Sequence, residues 1–393
     1  TDLNDRETFL LKESQTFCIY PWIHLHAYPT GEAYPCCHAE MGVGQVGNCR
    51  ANTLKEIWNS PKQRQLRLDM LSEIKNPACG RCYEQEESGF FSGRKSANKH
   101  HGHKVNEIHN TDNTGHNDKF AMTYWDIRFS NLCNLKCRSC GHIFSSQWYQ
   151  DQAKLAGGDW KDRNTVLNYA GRTETDMWEQ LEPHLDYVEQ IYFAGGEPLL
   201  MEEHYNILEE LVRRGRFDVR LIYNTNFTHT ELKGKSVFEY WKLFDSVAVG
   251  ASLDASGARG EYIRKGTDWD QVYANRVEMI SVCPNVDFYI SPTLSIMNAW
   301  HLPDFHREWV GAGLIIKYKQ RLRIKFSEHL EWLKPLDSLQ RATVGFESAI
   351  NFMMSNDNSD LLDTFWLKTK QLDSIRNENI LFSIPELELL TRV

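Results

Sequence analysis

The chain has 393 residues, with 44 Lys and Arg against 53 Asp and Glu, a net charge of −9. Hydrophobic residues at 41% and charged residues at 25% describe a folded chain rather than a disordered one, long enough for two domains at ~150 residues each. The acidic balance argues against a general nucleic-acid binder, whose footprint is normally basic. No segment reaches the ~18 apolar residues that span a bilayer, and the N-terminal TDLNDRETFLLKESQTF has no apolar signal core, so the expectation is a soluble cytoplasmic protein with no membrane partner.

Residues 1–97 read as a small, irregular unit with few aliphatic side chains. Two strand-like runs, 22–29 and 32–37, flank Thr30-Gly31 and predict a hairpin. Asn52-Thr53 then caps a predicted helix over 54–71, and a Cys-Gly-Arg-Cys knuckle follows at 79–82. His24 and His26 share a strand face and read as hairpin surface. Residues 98–119 carry five His and three Asp or Glu but no Phe, Trp or Tyr, and read as a linker or exposed loop.

From 120 the pattern changes. Strands are predicted at 124–130, 188–194, 219–225, 246–254, 286–294 and, more weakly, 322–326. Helices alternate with them at 145–155, 175–185, 202–215, 234–244, 268–281 and 302–313. This alternation over 120–334 predicts a parallel α/β structure, either an incomplete barrel or an open doubly wound sheet. Residues 335–393 read as a helical extension, with helices at 342–356 and 361–375.

Ten cysteines in a cytosolic chain point to metal or redox chemistry rather than to disulfides. Cys133, Cys137 and Cys140 lie directly after the first strand of the α/β region, at the end that carries chemistry in parallel folds. Three thiolates can hold an iron–sulfur cube and leave one iron open, as a catalytic site requires. A zinc knuckle completed by His142 is the alternative. Later strand ends carry hydrogen-bonding groups: Gly195-Gly196-Glu197-Pro198 after the second strand, Asn224-Thr225-Asn226 after the third, and Ser252 with Asp254 on the fourth. Arg264, in Glu-Tyr-Ile-Arg-Lys-Gly, is suited to clamping a carboxylate. One ligand with an amine, a carboxylate and a ribose would engage all of these.

On these motifs, residues 120–330 resemble the radical S-adenosylmethionine (SAM) enzymes. The resemblance implies a partial (β/α)6 TIM-like barrel and a [4Fe–4S] cluster on Cys133, Cys137 and Cys140 whose open iron takes the SAM amine and carboxylate. It implies that Gly195, Gly196 and Glu197 hold the amine, Ser252 the ribose or carboxylate, and Arg264 the carboxylate, with Asn224 at the same barrel end. Asp254 is then either a ribose ligand or a catalytic base. Ser139 stands where the family usually has an aromatic residue.

Cys18, Cys36, Cys79 and Cys82 similarly resemble the twitch and SPASM modules of such enzymes, which hold an auxiliary [4Fe–4S] cluster; here the module precedes the barrel. A four-cysteine zinc site is the alternative, and Cys37 or Cys49 could replace or join the ligands. The reaction implied is reductive SAM cleavage to a 5′-deoxyadenosyl radical that abstracts a substrate hydrogen, the auxiliary cluster accepting an electron. A flavodoxin- or ferredoxin-type reductant is the expected partner. A peptide or protein side chain is the first choice of substrate, because the 261–266 segment resembles peptide-modifying members, and a sugar or nucleotide is the second. A non-enzymatic zinc or iron–sulfur sensor is the rival of another class. Cys283, at a helix end away from the expected chemistry, reads as core.

Overall fold

The computed structural model describes residues 3–315 and 362–391. The predicted strand 322–326 and helix 342–356 lie outside them. The fold is mixed α/β, built on an eight-stranded sheet. Its strands are β1 (His24–Ala27), β2 (Glu32–Tyr34), β3 (Gly47–Asn48), β4 (Tyr124–Ile127), β5 (Gln190–Phe193) and β6 (Arg220–Thr225), with β9 (Val247–Ala251) and β10 (Asp287–Ile290); a separate small hairpin pairs β7 (Glu231–Leu232) with β8 (Lys235–Ser236). The order across the sheet is β10-β9-β6-β5-β4-β1-β2-β3, parallel from β10 to β1 and antiparallel from β1 to β3.

The pairing of β1 with β4 was not expected. The predicted hairpin exists, but its first strand runs parallel to β4, with His24 beside Tyr124 and Ala27 beside Ile127. The Tyr124 N–H donates to Ile23 O at 3.1 Å and the Arg128 N–H to Ala27 O at 2.9 Å. The cysteine-rich N-terminal unit therefore continues the same sheet as the α/β region.

Period-2 alternation gives the sheet two different faces. Leu25, Trp125, Ile127, Ile191, Phe193, Leu221, Tyr223, Val249 and Phe288 point to one side, where helices Glu202–Arg213, Val237–Trp241, Trp269–Val282 and Leu302–Gly311 close the main core. The other face carries His24, His26, Tyr124, Asp126, Tyr192, Asn224 and Tyr289. His24 and His26, expected on the surface, are buried at 1% and 0% exposure. His24 stacks on Tyr124 with ring centroids 4.3 Å apart, and burial lowers its pKa to about 3.

Two elements depart from expectation for local reasons. The 54–71 helix is broken into Leu54–Trp58 and Pro61–Leu71. Pro61 disfavours helical backbone at Ser60, whose hydroxyl instead caps the second helix by accepting from the Gln63 N–H. Residues 98–119 do not form an open linker. They finish helix Gly93–His101 and continue as a 3-10 turn, Gly102–Asn110, whose Val105 and Ile108 pack with Leu10, Phe17, Trp22, Leu66 and Met70 in a second core. Polar composition conceals these two apolar anchors. Among the described residues no helix is long and apolar enough to cross a membrane.

If β1 and β4 belong to one sheet, the amides of Leu25, Ala27, Trp125 and Ile127 should share one opening free energy in native-state hydrogen exchange. Exchange of the β1 amides a hundredfold or more faster than those of β4, roughly 3 kcal/mol apart, would refute the shared sheet.

Candidate functional site

All ten cysteines are described and none forms a disulfide. They fall into two sets and three single residues, as their spacing predicts.

Cys133, Cys137 and Cys140 lie in the loop after β4. Cys133 and Cys137 are buried, and Cys140 is half-buried. The loop is fixed by backbone bonds to the 263–265 segment: the Arg138 N–H donates to Ile263 O at 2.8 Å and the Lys136 N–H to Lys265 O at 2.9 Å. Trp148 Nε1 donates to Cys137 O at 2.8 Å. On the other side, the N–H groups of Gly196 and Glu197 donate to Ser130 O and Leu132 O at 3.2 and 2.7 Å. The contact tolerates no side chain, since a Cβ on Gly196 would stand 2.1 Å from Leu132 O.

Burial pushes the thiols of Cys133 and Cys137 up to about 12 and 11. Cys137 and Cys140 raise the Cys133 thiol further, and Cys140 raises that of Cys137. Donors already face the sulfurs. The Leu135 N–H lies 3.4 Å and Asn226 Nδ2 4.0 Å from Cys133 Sγ, and Arg264 Nη1 lies 3.6 Å from Cys137 Sγ. Two buried thiols and a half-buried third, with N–H donors at Cys133 and Cys137, would suit an anionic thiolate cluster, whose potential such hydrogen bonds tune.

The other predicted residues gather at the same end of the sheet, with specific partners. Glu197, 1% exposed, accepts from Thr225 Oγ1 at 2.6 Å, the Asn226 N–H at 2.7 Å and the Leu199 N–H at 3.2 Å. Burial nevertheless raises its pKa to about 7. Arg264 donates from Nη2 to Asp254 Oδ1 at 3.0 Å, and its Nε lies 2.9 Å from Oδ2. Asp254 also accepts from the Thr293 N–H at 2.7 Å and is 1% exposed. The expected clamp and the expected base are thus committed to each other. In this geometry Asp254 aims Arg264 at Cys137. Ser252 is half-buried, and its N–H donates to Thr225 O at 2.7 Å. Asn224 Nδ2 donates to Tyr192 OH at 2.6 Å.

Cys18, Cys36, Cys79 and Cys82 converge although 64 residues separate the first from the last. Burial raises the thiols of Cys18, Cys36 and Cys79, and Cys79 and Cys82 raise those of Cys18 and Cys36 in turn. Asn98 brackets Cys18, accepting from the Ile19 N–H and donating to Phe17 O, both at 3.0 Å. Arg94 holds Ser14 O and Phe17 O at 3.0 and 2.9 Å and pairs with Glu86. The Glu40 N–H donates to Ala78 O at 3.0 Å, tying the turn after Cys36 to the knuckle. Four cysteine ligands would close the coordination of a four-iron cluster. Cys37 faces the polar side of the sheet within electrostatic range of Asp126 and Arg128. Cys49 is buried near Asp176, apart from both sets, and Cys283 is buried in the main core as expected.

Sequence reasoning missed the support from the far C-terminus. Asp373 and Glu378 accept from Arg138 Nη2 at 2.5 and 2.7 Å, and Arg376 Nε donates to Asp151 Oδ2 at 2.7 Å. The helix Leu362–Arg376 is thereby anchored to the three-cysteine loop. No spacing rule connects residues so far apart.

Glu197 yields a pH test in cluster-free protein. Its folded pKa of about 7 lies above the ordinary 4.5. Its contribution is therefore fully present below pH 4.5 and is lost as pH rises through about 7, on the order of 3 kcal/mol. Subtracting the unfolding free energies of Glu197→Gln from wild type across this range should isolate the slope. Parallel curves would show that Glu197 is not a buried, proton-binding carboxyl.

Residues 18–83 match the family model for SPASM, an iron–sulfur cluster-binding domain. The match begins at Cys18 and includes Cys36, Cys79 and Cys82. No curated protein matches the chain.

Proposed function

We propose that this protein is a radical SAM enzyme with two [4Fe–4S] clusters, one on Cys133, Cys137 and Cys140 and an auxiliary one on Cys18, Cys36, Cys79 and Cys82. The observation that carries this reading is the convergence on one sheet of a buried three-thiol loop, a Gly-Gly-Glu strand end and a four-thiol set within the SPASM match. The parallel strands β4, β5, β6, β9 and β10, with helices on their apolar side, are what a partial barrel would contain.

When bound, SAM and its cluster supply one-electron cleavage and hydrogen-atom abstraction, chemistry no side chain provides. The chain's own residues bind and orient. Cys133, Cys137 and Cys140 would hold the cluster that binds SAM. The donors Asn226, Leu135 N–H and Arg264 stabilise the thiolates. Glu197, a carboxyl at the end of β5, suits the SAM ammonium, which would favour its ionised form. Arg264 reaches the SAM carboxylate only by sharing its guanidinium with Asp254. The closed four-cysteine set suits electron transfer, making the net reaction an oxidation fed by a flavodoxin- or ferredoxin-type donor. The substrate is a peptide or protein side chain, ahead of a sugar or nucleotide.

The test is iron, sulfide and 5′-deoxyadenosine release on anaerobically reconstituted protein with SAM and dithionite. About eight irons per chain are expected, with deoxyadenosine formed. Replacing Cys133, Cys137 and Cys140 by Ala should remove about half the iron and all the deoxyadenosine. Zinc in place of iron, with no deoxyadenosine from the wild type, would leave a structural metal protein instead.

A further inference from the structure

The polar face of the sheet holds a charged group that neither cysteine set uses. Asp126, on β4, is 0% exposed. It accepts from Arg128 Nε at 2.7 Å and Nη2 at 3.3 Å, while His26 Nδ1 on β1 lies 2.9 Å from its other side. Burial opposes the Asp126 charge, but Arg128 and His26 hold its carboxyl well below the usual range. Arg128 is presented differently. Its guanidinium stands over the Tyr192 ring, 5.0 Å from the centroid, and its side chain remains 17% exposed. Among the described residues no oxygen accepts from Nη1. Asp126 thus occupies one edge of a planar five-donor group and leaves the other open.

Arg128 shares the polar side of the sheet with Asp126, two residues before it. Along this side Tyr28, Tyr192, Asn224 and Ser252 are only half-buried and Cys37 is exposed, whereas the opposite face of the same strands is closed. Cys37, next to Cys36, is within electrostatic range of Arg128. Five residues beyond Arg128 in the chain stands Cys133, and a Cβ on Gly195 would meet Arg128 Cβ at 3.4 Å. Stability alone does not explain a buried ion pair here, because apolar residues of similar volume hold a fold at least as well. A guanidinium fixed by a hidden carboxylate and stacked on an aromatic ring is pre-ordered for a planar or tetrahedral oxyanion.

We propose that this polar face is the substrate site and that it takes a substrate with an anionic group, a carboxylate or a phosphate, on the free edge of Arg128. Tyr192 and Asn224, hydrogen-bonded to each other, flank the anion with neutral polar atoms. The inference rests on the radical SAM reading and narrows its substrate class: an acidic peptide group satisfies it, as does the phosphate of a sugar or nucleotide, and a wholly uncharged substrate does not.

The experiment is equilibrium dialysis of reconstituted protein against radiolabelled inorganic phosphate and, separately, acetate, with SAM present to fill its own carboxylate-binding groups. Wild type, Arg128→Lys and Arg128→Gln are compared at equal iron content. Arg128→Lys keeps a cation opposite Asp126, so the test survives if Arg128→Gln fails to fold. The wild type should bind one ion saturably, Arg128→Lys should weaken that binding ~10-fold, and Arg128→Gln should abolish it. The preferred ion distinguishes phosphate from carboxylate. Saturable binding that Arg128→Lys leaves unchanged, or no saturable binding of either ion to the wild type, overturns the proposal. Deoxyadenosine release by the same wild-type preparation reports separately on the radical SAM reading, which can fail while the anion site stands.

Discussion

The parallel pairing of β1 with β4 is the constraint on which the rest of this molecule depends. Two strands a hundred residues apart are locked in register, His26 beside Asp126 and Leu25 beside Trp125. Because the strands are parallel, both chains leave at the same end of the sheet. One continues through the hairpin to Cys36, the other directly to Cys133. A shift of one residue would turn Trp125 toward the polar face and Asp126 into the apolar core. The buried contact between His26 and Asp126 exists only in the observed register. The relation between the two cysteine sets is therefore fixed by backbone hydrogen bonds within one sheet, and not by docking of a separate module.

The two faces of that sheet divide the work. The closed face is a continuous apolar core in which Trp125, Trp241 and Trp309 are at most 1% exposed, each such side chain contributing several kcal/mol when fully buried. The open face is polar at most of its strand positions, and His101, at the end of helix Gly93–His101, stacks on Tyr124 there. Its charges sit in pairs, Asp126 with Arg128 and Asp254 with Arg264. In both pairs the carboxylate is hidden and the arginine is the more exposed partner, Arg264 also reaching a cysteine sulfur. The C-terminal helix adds a third layer of restraint by binding Arg138 from the far side of the three-cysteine loop.

Local chemistry was legible in the sequence and long-range geometry was not. The cysteine spacings, the Gly-Gly-Glu strand end and the alternating strands from 120 to 294 identified the elements of the site, because each is a short pattern with a physical reason behind it. The predicted strand ends also placed Glu197 and Asn224 at one end of the sheet, and period-2 alternation put Ser252 and Asp254 on one face. It could not show that Arg264 and Asp254 would engage each other, since a pair ten residues apart has many geometries. The β1–β4 pairing left no trace, as a parallel contact between distant strands imposes no local pattern. The 98–119 segment misled because its polarity is real, yet Asn98 is polar in order to hold the backbone around Cys18. Asp126 and Arg128 were overlooked inside a predicted strand, where alternating polar residues ordinarily face solvent. The break at Pro61 was legible and follows from the backbone restriction before proline.

We propose that two distinct clusters form on one sheet and that only the cluster on Cys133, Cys137 and Cys140 meets SAM. Electron paramagnetic resonance of the dithionite-reduced protein, recorded with and without SAM, tests it most directly. The account predicts two overlapping signals, of which one shifts on SAM addition and disappears in Cys137→Ala, while the other is indifferent to SAM and disappears in Cys79→Ala. A single signal, or two signals that both ignore SAM, would contradict it.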